Sequence, residues 1–193
     1  MKDNLKIAGL LIGLGALYFI VAMMLSEALY PSYSISNNYI SDLGVGPSAW
    51  LFNSSIDLLG VLIVIGSYFL YRGLHDRVFV ALVFIAGASA MGVGMFNENF
   101  GAIHVLVSAA VFIAGSIAAI YFGVKWNKLL RYPSIILGVV SLVATALLEG
   151  GIYLGLGPGG MERMIVYPIL LWAILFSGSL LTIKTATDSG RRK

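Results

Sequence analysis

The sequence predicts an all-α, polytopic membrane protein that folds as a bundle of six transmembrane helices. Three observations predict it: an apolar composition, six apolar stretches of membrane-spanning length, and a one-sided distribution of Lys and Arg. Hydrophobic residue types make up 59% of the 193 residues and charged types only 11%, whereas a soluble domain has about a quarter charged residues. Because many residues of a small soluble domain contact water, this composition excludes soluble enzymes, nucleic-acid-binding proteins and disordered linkers.

Six apolar stretches are long enough to cross a bilayer, which takes roughly 20 helical residues. No alternating pattern of strand length competes with them. We expect a single domain over residues 1–193, because nothing between the stretches is long enough for a second one. The predicted spans are Ile7–Leu25, Trp50–Tyr71, Val78–Phe96, Ala102–Val124, Tyr132–Tyr153 and Met161–Ile183.

The basic residues predict the orientation of these spans. If the N-terminus lies inside, eleven of the 12 Lys and Arg residues fall in inner segments, and only Arg163 lies outside. Cytoplasmic loops collect Lys and Arg, so we expect a multi-pass protein of the cell membrane with both termini cytoplasmic. The net charge of +3 is then explained by membrane orientation and does not indicate nucleic-acid binding.

The outer side carries one long connection, residues 26–49. Loops of this length tend to be functional or to contain their own structure. Ser36 could cap a short helix over Asn37–Leu43, which Gly44 would close. We expect this helix to lie on or dip into the outer face.

Polar groups concentrate in the outer part of the predicted spans. At about 1.5 Å per residue, Asp57 lies roughly 20 Å and Glu149 roughly 25 Å above the inner ends of their helices. Asn97 and His104 lie near the outer boundary. Ionisable residues within a span usually face the bundle interior and have a partner. The sequence therefore predicts a polar cavity, open to the outside, that Asp57, His104 and Glu149 share.

Helical spacing refines this prediction. Asn53 and Asp57 share one helix face, as do His104 and Ser108. Arg163 is the sole outer cation, and we expect it to pair with Glu149 or Asp57.

The other polar residues have simpler expected roles. We expect Glu27 and His75 to be solvated, and the Glu162 carboxylate to interact favourably with the dipole at the start of its helix. We expect the stripe of Gly138, Ser141 and Thr145 to lead up to Glu149.

The residue inventory limits the chemistry. Cysteine is absent and only two histidines exist, which the predicted topology places on opposite sides of the membrane. A bis-histidine haem and a three-histidine zinc site are therefore excluded. We predict no cofactor and no metal, although the outer carboxylates could hold a harder cation. A serine–histidine–acid trio is conceivable from Ser41 or Ser108 with His104 and Asp42 or Asp57.

One motif match is misleading. Residues 155–160 satisfy G-x-G-x-x-G, but they follow a membrane helix instead of a strand, which excludes a dinucleotide loop. We expect a flexible outer turn there.

Short motifs spread along the chain resemble the domain-of-unknown-function 998 family, whose members are six-span membrane proteins of prokaryotes, archaea included. The resemblance covers nearly the whole chain. The residues that carry it are Tyr39-Ile40-Ser41-Asp42-Leu43-Gly44, Gly46-Pro47, Asn53, Gly94, Phe96, His104, Met161-Glu162-Arg163 and Tyr167-Pro168.

The loop Ile40–Gly44 is also distantly similar to that of the eukaryotic Frag1/DRAM/Sfk1 proteins, some of which act in remodelling GPI-anchor lipids. This resemblance implies at most a lipid-handling role. Together the two resemblances single out Ser41, Asp42, Asn53 and His104.

The leading hypothesis is an outward-facing polar pocket that binds a lipid or a polar small molecule, and whether the pocket also hydrolyses or remodels this ligand stays open. Membrane lipids are the expected partners, and the oligomeric state stays open. His104 would act as general base, Asp57 or Asp42 would orient it, and Arg163 would hold an anionic headgroup. The candidate residues are catalytic His104, Asp57, Asp42 and Ser41, and ligand-binding Asn53, Asn97, Glu98, Glu149 and Arg163.

Two alternatives stay open. Acids within spans often mark ion or proton paths, which favours a transporter or channel component, although the inner half of every span lacks charge. A polar network can also fix helix packing alone, as in a non-catalytic scaffold or accessory subunit.

Overall fold

The computed structural model describes residues 2–126 and 129–183. Within these ranges the chain forms six long α-helices, two short 3₁₀ helices and no strand. All six long helices are long and apolar enough to cross a membrane, which confirms the predicted fold class. The α-helices are α1 (Lys2–Leu29), α2 (Ala49–Gly73), α3 (Arg77–Met95), α4 (Ala102–Lys125), α5 (Arg131–Glu149) and α6 (Gly157–Leu181), and the 3₁₀ helices are η1 (Ser41–Gly44) and η2 (Glu98–Phe100).

The bundle has two distinct ends. The loop face carries residues 30–48, which we call the roof segment, together with η2 and the turn at 150–156. The basic face, at the other end, carries Arg72, Arg77, Lys125 and Arg131. The remaining basic residues predicted to lie on that side include Lys128, Lys184, Arg191, Arg192 and Lys193, which are outside the described residues.

The helices are arranged as a ring with one peripheral member. Neighbours in sequence pack together from α1 to α4, and α6 returns to pack against both α1 and α4. α5 packs on α4 and α6 from outside this ring. Five helices therefore surround the interior of the bundle.

Glycines permit the closest helix contacts. A Cβ atom on Gly60 of α2 would lie 2.6 Å from the Gly87 carbonyl oxygen of α3. A Cβ on Gly9 of α1 would lie 2.9 Å from the Ser177 carbonyl oxygen of α6. Small residues allow membrane helices to approach in this way.

Aromatic rings fill the half of the bundle next to the basic face. The Phe122 and Phe176 rings are 5.0 Å apart, and the Phe79 and Phe176 rings are 5.4 Å apart. Trp172 stacks on Phe176 at 5.3 Å. These four residues are buried, and they join α3, α4 and α6 in one apolar contact.

A buried carboxylate joins α3 to α4 at the basic face. Asp76 caps α3 by accepting from the Phe79 amide at 3.1 Å, and it accepts from Lys125 Nζ at 2.7 Å and Tyr121 Oη at 2.9 Å. Burial alone would raise the pKa of Asp76, but the bonds from Lys125, Phe79 and Tyr121 lower it to about 2. Asp76 is therefore a charged anchor between helices.

The short helix in the long connection differs from the prediction. It covers Ser41–Gly44 as a 3₁₀ turn instead of Asn37–Leu43. Side chains compete for the backbone here: Asn38 Oδ1 accepts from the Ser34 amide, and Asp42 Oδ2 accepts from the Tyr39 amide. Ser36, the predicted cap, donates to the Leu156 carbonyl instead.

The fifth helix is shorter than its apolar stretch. It ends at Glu149 instead of Tyr153, because Gly150 and Gly151 turn the chain and Gly151 has φ +69°. Left-handed backbone of this kind commonly ends a helix at glycine.

We predict that Gly60→Ala lowers the free energy of unfolding by about 1–3 kcal/mol, because the added methyl group overpacks the α2–α3 contact. The measurement is denaturant unfolding of the protein in detergent micelles. Gly178→Ala is the matched control, since nothing lies within 4 Å of its Cβ position, and it should be neutral or stabilising. Equal effects of the two substitutions would contradict close packing at Gly60.

Candidate functional site

A cavity of about 100 Å³ lies inside the ring of helices, in the half next to the loop face. α1, α2, α3, α4 and α6 contribute to its wall, and the roof segment covers it through Ile40 and Ser41. The wall is mostly apolar. It includes Phe52, Ile56, Ala90, Val111, Val166 and Ile169.

Polar groups occur only at the rim of this cavity. Among the lining residues that the structure describes, the polar ones are Ser41, Ser108 and Glu162. Glu162 is 7% exposed, and its carboxylate accepts a hydrogen bond from the Ile40 amide. The predicted polar chamber is therefore an apolar cavity with a polar rim.

His104 is buried beside the lining residue Ser108, and its hydrogen bonds define its tautomer. Nδ1 lies 2.8 Å from the Phe96 carbonyl oxygen. A carbonyl oxygen only accepts, so Nδ1 carries a proton, and in the neutral imidazole Nε2 is the acceptor. Nε2 lies 3.4 Å from Ser108 Oγ. The prediction that Asp57 or Asp42 orients His104 is wrong, because the Phe96 carbonyl takes that position.

The two 3₁₀ helices bring acidic side chains together above the cavity. The Ser41 hydroxyl donates to Glu98 Oε1. Burial raises the pKa of Glu98, the neighbouring Asp42 adds to the rise, and the Ser41 hydrogen bond opposes it. Asn97 Oδ1 accepts from the Asn99 amide at 3.2 Å, so Asn97 serves as the cap of η2.

Asp42 organises the roof segment. Its Oδ2 atom accepts from Asn38 Nδ2 at 2.8 Å and from the Tyr39 amide at 3.0 Å. These bonds hold the turn that leads into η1, so Asp42 positions Ser41 next to Glu98.

Arg163 anchors the roof segment to α6. Its Nη2 atom donates to Glu27 Oε1 at 2.5 Å and to Tyr33 Oη at 2.8 Å. Its Nη1 atom donates to the Ile35 and Gly159 carbonyls, both at 2.9 Å. The predicted pairing of Arg163 with Glu149 or Asp57 is therefore wrong, and so is the prediction of a solvated Glu27.

Tyr33 extends this network. Its hydroxyl accepts from Arg163 and donates to the Tyr39 carbonyl at 2.8 Å. Burial raises the pKa of Tyr33 to about 12, even though Arg163 acts in the opposite direction. The hydroxyl thus keeps its proton at neutral pH and remains a donor.

The glycine-rich first turn of α6 packs directly against the roof segment. The Gly159 amide donates to the Ser36 carbonyl at 2.9 Å. A Cβ on Gly159 would lie 2.7 Å from the Ile35 carbonyl oxygen and would collide with that of Asn38. The prediction of a flexible outer turn over residues 155–160 is therefore wrong for residues 157–160, which belong to α6 and contact the roof segment closely.

Asn53 and Asp57 share a face of α2, as predicted, but outside the cavity wall. Asn53 Nδ2 donates to the Gly44 carbonyl at 2.9 Å and so holds η1. Asp57 lies against Gly94 at the α2–α3 contact. Asn53 Oδ1 and Asp57 Oδ1 are both buried without a hydrogen-bond partner among the described residues.

Glu149 is exposed at the end of α5, outside the ring. The prediction that Asp57, His104 and Glu149 share one chamber is therefore wrong, since none of the three lines the cavity and only His104 contacts a lining residue, Ser108. Among the described residues, no group of three or more His, Asp or Glu side chains is placed to hold a metal ion.

The fold and site define a six-span helical membrane protein with a covered cavity near one end. The chain belongs to a family described as protein of unknown function (DUF998), whose sequence model matches residues 13–179. This match confirms the family resemblance. Neither the curated proteins nor the solved structures include a significant match.

We predict that Arg163→Ala lowers the free energy of unfolding by about 3–5 kcal/mol, because it leaves Glu27 as an unpaired, mostly buried charge. Hydrogen exchange of residues 34–42 should also accelerate. Arg72→Ala is the control: this exposed cation bonds only the Tyr68 hydroxyl in the described structure, and its loss should cost less than about 1 kcal/mol. Unchanged exchange at residues 34–42 would show that Arg163 does not anchor the roof segment.

Proposed function

We propose that this protein binds a lipid-like amphiphile whose apolar end enters the cavity and whose polar end lies at the rim. The observation that carries the proposal is the position of the apolar wall directly below Ser41, Ser108 and Glu162. An apolar space with a few convergent polar groups is the usual form of a small-molecule site.

The cavity volume limits what can enter. An apolar protein cavity of about 150 Å³ holds one benzene molecule. A space of about 100 Å³ therefore takes the end of one chain or a compact apolar group, and the rest of the ligand must lie at the rim or among the lipids.

The roof segment makes the site preformed. Arg163 and Glu162 hold its backbone from α6, and Asn53 holds η1 from α2. Preformed sites bind with less loss of conformational entropy. The positive-inside rule would place this site on the outer side of the cell membrane.

The packing of the other half favours binding over passage. The cavity wall reaches Ala173 on α6, and Phe176, one turn further, packs against Phe79 and Phe122. These rings give an ion or a polar solute no hydrogen-bonding partners between the cavity and the basic face.

A second candidate function is cleavage of an ester in the bound amphiphile. The hydrogen bond of His104 to the Phe96 carbonyl leaves Nε2 free to accept the Ser108 proton. Ser108 Oγ would attack the ester carbonyl carbon, and the resulting imidazolium would return the proton to the departing alkoxide. Water would then release the acyl group from Ser108. The contact of 3.4 Å is long, as such contacts often are without substrate.

A cavity-filling substitution tests binding. The probe is hexadecanol with a diazirine at its chain end, incorporated into phosphatidylcholine nanodiscs with the full-length protein. We expect photolabelling of wall residues such as Ile56 and Val111, and a loss of about tenfold in Ala90→Leu, because overpacking costs a little over 1 kcal/mol.

Ala88→Leu is the matched control, since Ala88 lies on the same helix but is exposed, and it should label like the wild type. Equal wall labelling of the wild type and both variants, or labelling confined to outward-facing side chains, would contradict the proposal.

A fluorophosphonate probe tests the second candidate. We expect covalent labelling of Ser108 in detergent-solubilised protein and a loss of at least about tenfold in His104→Ala, because a general base contributes roughly 10²–10⁴-fold. Ser179→Ala is a serine control remote from the cavity and should leave labelling unchanged. Absence of labelling at Ser108 in folded protein rejects ester cleavage and leaves the binding proposal intact.

A further inference from the structure

A hollow opens between α2 and α3 on the side of the bundle, next to the basic face. Its volume is about 620 Å³, within the range of small-molecule sites. It adjoins a second hollow of about 390 Å³, with which it shares Tyr71 and Arg77. Both are separate from the covered cavity, which shares no lining residue with either.

The lining of this pair of hollows changes from charged to apolar along the helices. Arg72 lies in the last turn of α2, and Arg77 is the first residue of α3. From Arg77 the lining follows α3 past Val80 to Phe84, which is two turns or roughly 10 Å. A charged end at the helix termini and an apolar part deeper in the spans match the headgroup and the first part of an acyl chain of one lipid.

The two arginines have donors available for an anion. Arg77 is exposed and takes part in neither of the ion pairs of the described structure. Arg72 is also exposed, and among the described residues it donates only to Tyr68 Oη, at 3.1 Å. A guanidinium is a planar fork of donors that matches the oxygens of a phosphate.

No carboxylate of the described residues lines either hollow. Asp76, next to Arg77 in the chain, is 6% exposed and accepts from Lys125 and Tyr121 of α4. The charge of Asp76 is therefore balanced by Lys125, and the positive charge at the hollows is not cancelled by their own lining.

Two tyrosines mark the depth of the hollows in the membrane. Tyr68 and Tyr71 belong to the lining and are each 54% exposed. Tyrosine is enriched where a membrane meets water, because its ring is apolar and its hydroxyl is polar. The arginines lie beside these tyrosines at the helix ends, and so at the level of the lipid headgroups.

We infer that this pair of hollows binds an anionic phospholipid, whose phosphate contacts Arg72 and Arg77 and whose acyl chain lies on Val80 and Phe84. Basic pockets between transmembrane helices bind anionic headgroups in this way. A soluble phosphate would leave the apolar part of the lining uncovered, and a zwitterionic lipid would bring a cationic amine to the arginines. The site is distinct from the proposed amphiphile site, and neither depends on the other.

A pair of photoreactive lipids tests the charge preference. Phosphatidylglycerol and phosphatidylcholine carry the same diazirine in the upper part of one acyl chain. Each is incorporated as a minor component into phosphatidylcholine nanodiscs with the full-length protein. Labelling of Phe84 is divided by labelling of Ile117, which is 39% exposed on α4, so that the lipid content of the nanodisc cancels. We expect this ratio to be about tenfold higher for phosphatidylglycerol than for phosphatidylcholine.

Arginine variants locate the recognition. Arg72→Gln and Arg77→Gln should each lower the phosphatidylglycerol ratio by about threefold or more. They should leave the phosphatidylcholine ratio within about twofold, because both side chains are exposed and the hollow keeps its shape. Arg131→Gln is the matched control and should change neither ratio, since Arg131 is an exposed arginine of the same face on α5, outside both hollows.

Three outcomes would overturn the inference. The first is an equal ratio for the two lipids in the wild type. The second is an effect of Arg131→Gln as large as that of Arg77→Gln, because a general attraction of anionic lipids to the basic face would then explain the preference. The third is loss of the preference in an excess of soluble glycerol phosphate, which would identify a soluble anion as the occupant. Labelling of the cavity wall at Ile56 and Val111 tests the proposed function separately.

Discussion

The site depends on the anchorage of the roof segment to the first turns of α6. Non-helical backbone near a membrane must have its polar groups satisfied by the protein, and two adjacent residues of α6 do so with opposite charge. Arg163 supplies donors to the Ile35 and Asn38 carbonyls, while Glu162 supplies an acceptor to the Ile40 amide. The burial of Arg163 would be unfavourable alone, but Glu27 and Tyr33 accept from Nη2, and only Nε is left without a partner among the described residues. The same anchorage holds Ser41 above the cavity.

The apolar stretches made the fold class predictable, because a bilayer requires long apolar helices and few other structures satisfy the backbone within it. Six stretches of sufficient length correspond to the six helices. The ends were less predictable, since apolar residues continue past the turn at Gly150 and Gly151. The short helix in the connection was misplaced because the Asn38 and Asp42 side chains compete with helical bonds.

The site was only partly predictable. Ser41, Glu98 and His104 do lie together at the loop face, because polar residues near helix ends are few and the loop brings them close. Charge counting did not identify the partner of Arg163, since six acids on one side are equally suitable in sequence. The cavity wall gave no signal at all: Ile56 and Ala90 look like any apolar residue of a span, and an unfilled space depends on three-dimensional packing.

The polar stripe of α5 was predicted to lead to Glu149, but in the structure it serves helix packing. Ser141 accepts from Ser116 of α4 at 2.8 Å, and Thr145 donates to its own backbone at the Ser141 carbonyl. A Cβ on Gly138 would lie 2.6 Å from the Ser116 carbonyl oxygen. The stripe is therefore the face by which α5 packs on α4, and not a path to Glu149.

The other contact of α5 closes one side of the cavity. Because α4 and α6 contact one another less extensively than either contacts α5, α5 covers the seam between them beside Phe112 and Ile169 of the cavity wall. A peripheral helix thus separates the cavity from the lipids on that side, which leaves the rim below the roof segment as the polar side of the site.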